Sequence, residues 1–206
     1  IDGCSNSGAI SGSGTEADEN TGIGGIVGGN FGSEITSSEN SGTVSGQSTV
    51  GGIAGYTNYI VKDCINTAGI EGGTFIGGAT GMAEGAGYIL SFLTNSGTVT
   101  ASGGAGGIIG NITSSISVSF CTNQEAGVVY ASAGSAGGIA GVINDAGASV
   151  SDSENYASVS PGKWAGGIVA LSQGAILDCL NTGQVSVSAT NDPGQNGEGI
   201  IVENIT

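Results

Sequence analysis

The chain has 206 residues, including 43 glycines and two prolines, and its 17 carboxylates face two lysines, no arginine and no histidine, for a formal charge of −15. That balance argues against nucleic acid or anionic membranes as partners, because binding a polyanion requires basic groups to displace its counterions, and no apolar run approaches the ~18 residues of a membrane-spanning helix. Hydrophobic residues make up 38% of the chain, too many for a disordered Gly/Ser linker, and the glycines follow no Gly-X-Y period, which excludes collagen.

The elements recur in a fixed order. Unit one runs through Ile1, Cys4, Asn6 and Ile10, then a long acidic insertion, then the phrase GGIVG from Gly24 with Ile26 at its centre. Unit two repeats the order as Ile35, Asn40, Val44 and Ile53, and unit three as Val61, Asn66, Ile70 and Ala79. Leu90, Asn95, Val99 and Ile108 form the fourth, and Val118, Asn123, Val129 and Ile139 the fifth. The sixth holds Val150, Asn155, Val159 and Ile168, and the seventh Ile176, Asn181, Val185 and Ile200. Successive asparagines lie 34, 26, 29, 28, 32 and 26 residues apart. Each unit thus has three short apolar stretches separated by Gly, Asn and Ser, and none carries a helical period.

One such unit buries too little to be stable alone, but stacked units place like residue on like residue. The expected fold is all-β: a right-handed parallel β-helix, or β-solenoid, of about seven coils of ~26–34 residues with three short strands per coil. Asn6, Asn40, Asn66, Asn95, Asn123, Asn155 and Asn181 are expected to stack as an amide ladder at a turn, where Asn also suits a left-handed backbone. The Gly-Gly pair fits a corner or a close approach of coils. The chain starts inside a repeat and ends without a closing unit, so one solenoid domain, residues 1–206, from a longer surface protein is expected.

The tandem Gly-Gly-Ile-x-Gly phrase, interleaved with C-x-N-x-G-x-V, resembles the GLUG-motif repeat, named for Gly, Leu, any residue, Gly. That repeat occurs in bacterial surface proteins, adhesins among them, and in the non-catalytic part of some immunoglobulin A proteases. This sequence has Ile, or Ala79 once, in place of Leu, and Ala170 and Val202 replace the final Gly in copies six and seven. The resemblance covers nearly the whole chain. It implies a secreted or cell-surface bacterial β-solenoid with no catalytic residues.

The residues that suggest chemistry have plainer readings beside them. The column Cys4, Ser38, Cys64, Leu93, Cys121, Ser153, Cys179 puts a cysteine on every second coil. Their Cα atoms are then about 9–10 Å apart, beyond the ~7 Å reach of a disulfide, so four buried free thiols are expected. Without histidine no activated thiolate is expected, and with the cysteines also spread over alternate coils no zinc site is expected. Glu16, Asp18 and Glu19 are the best oxygen cluster for calcium, against the reading of a solvated acidic loop. Asp152 and Asp178 fall on adjacent coils about 5 Å apart, near the separation used by retaining glycosidases.

A glycan-cleaving enzyme is therefore the alternative reading, but with Lys62 and Lys163 as the only cations the expectation is a non-enzyme without cofactor. Phe31, Tyr56, Tyr59 and Tyr88 follow the Gly-Gly phrase in successive units, and they either line an edge for a host glycan or protein or cover loop ends of the core. The chain is expected to be a monomeric adhesin, binding rod or stalk.

Overall fold

The computed structural model describes residues 1–13, 22–161 and 163–186. Among these, every regular element is a short β-strand and none is a helix. Each strand pairs in parallel with its equivalent in the neighbouring repeat, which makes the fold a β-solenoid.

A complete coil has four faces. The first carries strands Ile35–Thr36, Val61–Lys62, Ile89–Ser91, Ser117–Ser119, Ser149–Ser151 and Ala175–Leu177. The second consists of seven two-residue strands that each end on an asparagine, from Ser5–Asn6 to Leu180–Asn181. The third is a folded face, a single strand in Val44–Gly51 and Ile70–Gly77 but split into Val99–Ala101 and Ala105–Gly106 one coil later. The fourth runs from Val27–Asn30 to Val169–Ser172. The repeat pattern predicts three strands, and the coil has four because the Gly-Gly-Ile-x-Gly phrase straddles a corner. Its first Gly ends the third face, its Ile turns inward at the bend, and the next strand begins one residue later, as at Gly51, Ile53 and Ala54.

The sequence counts seven units, and the structure closes five of them into complete coils, beginning at Ile35, Val61, Ile89, Ser117 and Ser149. Among the described residues a part-coil stands at each end. The first-face strand of the N-terminal one is reduced to a bridge between Asp2 and Thr36, and the described residues of the C-terminal one reach the third face at a bridge between Val159 and Val185.

The interior is two apolar columns. The larger is enclosed by faces one, two and four and contains Ile35, Ile53, Val61, Leu90, Leu93, Ile108, Val118, Ile139 and Val150. The smaller lies inside the fold of face three and contains Val44, Val50, Ile70, Ile76, Val99, Val129 and Val159. Volume is balanced within each coil of the smaller column. Gly46 faces Val50 and Gly72 faces Ile76, whereas the next two coils put Ala101 with Ala105 and Ala131 with Ala136. Small meets large or medium meets medium, which is what close packing demands.

The glycine phrase follows from backbone approach, as one copy shows. A Cβ on Gly106 would overlap the carbonyl of Ile109 across the corner. One on Gly107 would overlap the side-chain amide of Asn123 and the carbonyl of Gly138. One on Gly110 would lie 2.5 Å from the Phe75 carbonyl carbon and 2.6 Å from Gly81 O, because the fourth face packs backbone-first onto the third face of the preceding coil. The phrase is a record of three contacts, each closer than a side chain allows.

Candidate functional site

The buried polar groups belong to the scaffold. Asn6, Asn40, Asn66, Asn95, Asn123, Asn155 and Asn181 form one continuous amide ladder, each Nδ2 donating to the next Oδ1 at 2.8–2.9 Å. The second Nδ2 hydrogen goes to the carbonyl two residues on, as from Asn40 to Gly42 and from Asn95 to Gly97. The five central asparagines are fully buried, so both donors and the acceptor must be satisfied within the protein. The left-handed backbone expected at Asn lies three residues earlier instead. Gly3, Ser37, Asp63, Phe92, Phe120, Asp152 and Asp178 all have φ between 48° and 61°.

All four cysteines are free, with Cys64, Cys121 and Cys179 buried and Cys4 exposed. Exposure of Cys4 departs from the expectation of four buried thiols, and its cause is position: it lies in the first described coil, which is stacked on one neighbour, that of Ser38, rather than between two. Each thiol donates to the carbonyl two residues before it, Cys64 to Lys62 at 3.1 Å, Cys121 to Ser119 at 3.3 Å and Cys179 to Leu177 at 3.2 Å. Ser38 and Ser153 make the same bond from their hydroxyls at 2.8 Å. The slot takes a small donor that closes the left-handed corner in every coil but one, where Leu93 fills it with a buried apolar side chain instead. Burial pushes the Cys121 thiol up to about 12 and raises those of Cys64 and Cys179, the opposite of what a nucleophile needs.

The aromatic candidates separate into two pairs. Phe31 and Tyr56 have ring centroids 5.2 Å apart, and Tyr59 and Tyr88 4.8 Å. Phe31 is 60% exposed, but Tyr56 is only 3% exposed and lies in the core. The Tyr56 hydroxyl donates to Glu84 at 3.0 Å, and burial first, then that carboxylate, pushes its pKa up to about 12. Tyr56 therefore supports Phe31 rather than offering its own face, and Tyr59 and Tyr88 are half-buried at the adjoining corner.

Asp152 and Asp178 occupy successive exposed positions of the left-handed column, with the Asp152 N–H donating to Leu177 O at 3.1 Å. Lys62 is three coils from Asp152 and bonded to Glu34 at 2.7 Å. Among the described residues no group of three metal-ligating side chains converges. The calcium candidates Glu16, Asp18 and Glu19 lie outside the described residues.

Sequence reasoning missed two residues in that same column. Phe92 and Phe120 point outward, 54% and 51% exposed, with rings 5.1 Å apart and only 10° from parallel. The signal was present: lining up the repeats puts Phe twice where the other copies have Gly, Ser or Asp. The column from Asp63 to Asp178 thus forms a ridge at the corner of faces one and two, with two stacked rings bordered by carboxylates.

No family model, curated protein or solved structure matches this chain. What the fold defines is a class, the parallel β-solenoid with an internal asparagine ladder.

Proposed function

We propose that the chain is a non-catalytic module of a bacterial surface or secreted protein, acting as a binding rod or structural stalk. One observation carries this reading: the columns facing inward or into the corners stay uncharged from coil to coil, and the column whose charge and polarity change freely faces outward. Asn, the aliphatic residues and the Gly-Gly pair repeat because the stack needs them. The outward corner changes freely through Gly3, Ser37, Asp63, Phe92, Phe120, Asp152 and Asp178. That is the arrangement of a scaffold that displays surface. The likeness of Gly-Gly-Ile-x-Gly to the GLUG repeat supports the same reading, and with it an extracellular location and a host glycan or protein as ligand.

The test pairs a binding screen with a cleavage screen. The chain is applied to a glycan array and a panel of extracellular-matrix proteins, and separately incubated with polysaccharides while reducing ends are measured. Binding or inertness without cleavage is expected. Release of reducing ends that Asp152→Asn or Asp178→Asn abolishes would replace this reading with glycan cleavage.

A further inference from the structure

We propose that the Phe92–Phe120 ridge is a docking site for an extended, basic protein segment of the pattern Lys-x-apolar-x-Lys, running along the solenoid axis. The proposal deepens the binding-rod reading and rests on it. The two phenylalanines are the first evidence. A bulky side chain in the left-handed region is uncommon, and Gly, Ser or Asp serves in the other coils. Phe92 and Phe120 hold φ at 54°, pinned because their N–H groups donate to Ser119 O and Ser151 O of the next coil at 3.2 and 3.3 Å. Their rings recover little by burial, since each is about half exposed. Neither the core nor the corner needs them, and the stacked pair leaves about half of each side chain as apolar surface exposed to water.

Charge decides the occupant. Asp63 stands one rung before the platform, and Asp152 and Asp178 one and two rungs after it. Lys62, the cation nearest the ridge, is engaged by Glu34, and the chain as a whole carries −15. The field at this corner attracts cations and repels a second copy of the chain. Geometry sets the spacing. From Asp63 to Asp152 is three rungs, about 14 Å at ~4.8 Å per rung. An extended chain rises ~3.3 Å per residue and repeats its facing side every second residue. Residues one and five of such a segment therefore reach the two carboxylates, and residue three lies over the rings on the same side. Lysines at the ends also meet aromatic faces within cation–π range.

The experiment titrates the 206-residue chain with a fluorescein-labelled peptide containing Lys-Thr-Leu-Thr-Lys, followed by anisotropy at low salt. Saturable binding is expected, weakened at least tenfold when both lysines of the peptide are changed to glutamate or the leucine to serine. The double variant Phe92→Ser/Phe120→Ser is expected to lose binding at least tenfold, while Phe31→Ser keeps it. Serine already occupies this column at Ser37, so the coil has a place for it. Asp63→Asn/Asp152→Asn tests the charges without touching the rings and is expected to weaken binding several-fold and flatten its salt dependence. Absence of binding, or binding unchanged in the serine variant, overturns the proposal, as does a parent that dimerises through the ridge. A chain that ignores the peptide yet binds a glycan sinks the docking site and keeps the rod. Polysaccharide cleavage sinks the rod itself.

Discussion

Asn95 has a buried side chain with no route to water, and four bonds converge on it. Its Nδ2 donates to Asn123 Oδ1 and Gly97 O, while its Oδ1 accepts from Asn66 Nδ2 and the Gly97 N–H. Truncation leaves an orphaned donor, Asn66 Nδ2, on the preceding coil and an orphaned acceptor, Asn123 Oδ1, on the following one, each worth about 1–3 kcal/mol. Asn95→Ala is expected to lower stability by about 3 kcal/mol or more in urea unfolding, and Asn181→Ala, at the half-exposed end of the ladder, by no more than about 1.5 kcal/mol. Equal losses would mean that the ladder does not act through burial. The thiols make a second prediction at this scale. Cys121 stays protonated in the coil up to about 12, whereas in the unfolded chain it ionises near 8.5. A folded pKa above the unfolded one for an acid means full stability below about pH 8.5, then a decline of at most about 1.4 kcal/mol per pH unit toward pH 12. Cys121→Ser keeps the donor, as Ser38 and Ser153 show, and is expected to flatten that alkaline decline while changing neutral stability by less than about 1 kcal/mol. In the native protein only Cys4 is expected to react promptly with a thiol reagent, because the other three are buried.

The strands and corners show how local rules combine. In the smaller core, Gly72 makes room for Ile76, while Ala101 and Ala105 share the same space one coil later. Ala105→Ile alone overfills that space and is expected to destabilise by about 1–3 kcal/mol. Adding Ala101→Gly reproduces the neighbouring coil and is expected to restore at least about 1 kcal/mol, a coupling that a double-mutant cycle measures. Strict additivity of the two changes would refute the pairing. The parallel coils, the amide ladder and the aliphatic columns were legible because each is a uniform column, and a uniform column of identical spacing has few physical causes. The fourth face was not legible, because Gly-Gly-Ile-x-Gly has only one apolar residue and that residue turns out to lie in the bend at Ile53 rather than in a strand. The second core was hidden for a related reason: Val44 and Val50 sit on one strand that folds back on itself, and spacing alone cannot show a bend inside a strand. Tyr56 and Phe31 looked equivalent in sequence, and only packing separates a ring that is covered from the ring that covers it.

Across the whole molecule, stability is a sum of coil-on-coil interfaces, so it is lowest where a coil has one neighbour. The burial of equivalent residues follows that rule. Val61, Leu90, Val118 and Val150 are fully enclosed, while Ile176 at the same position in the last part-coil is only half-buried. Ile10 and Ile26 at the N-terminal end, and Val185 at the other, are likewise half-buried where their counterparts Val99 and Ile108 are not. The rungs are joined by backbone hydrogen bonds that run along the axis, such as Thr94 N–H to Cys64 O and Thr122 N–H to Leu93 O. An amide in the middle can therefore open only when neighbouring coils separate, whereas an end coil can peel away alone. Amide hydrogen exchange is expected to be slowest in the coils spanning residues 89–143 and fastest in residues 1–13 and 175–186, with a graded profile between them. Net charge adds to this. Like charges stack on successive rungs at Asp152 and Asp178, so added salt is expected to slow exchange most at the C-terminal corner by screening that repulsion. A uniform profile along the chain would mean that the coils open as one cooperative block and that nearest-neighbour stacking does not govern this solenoid.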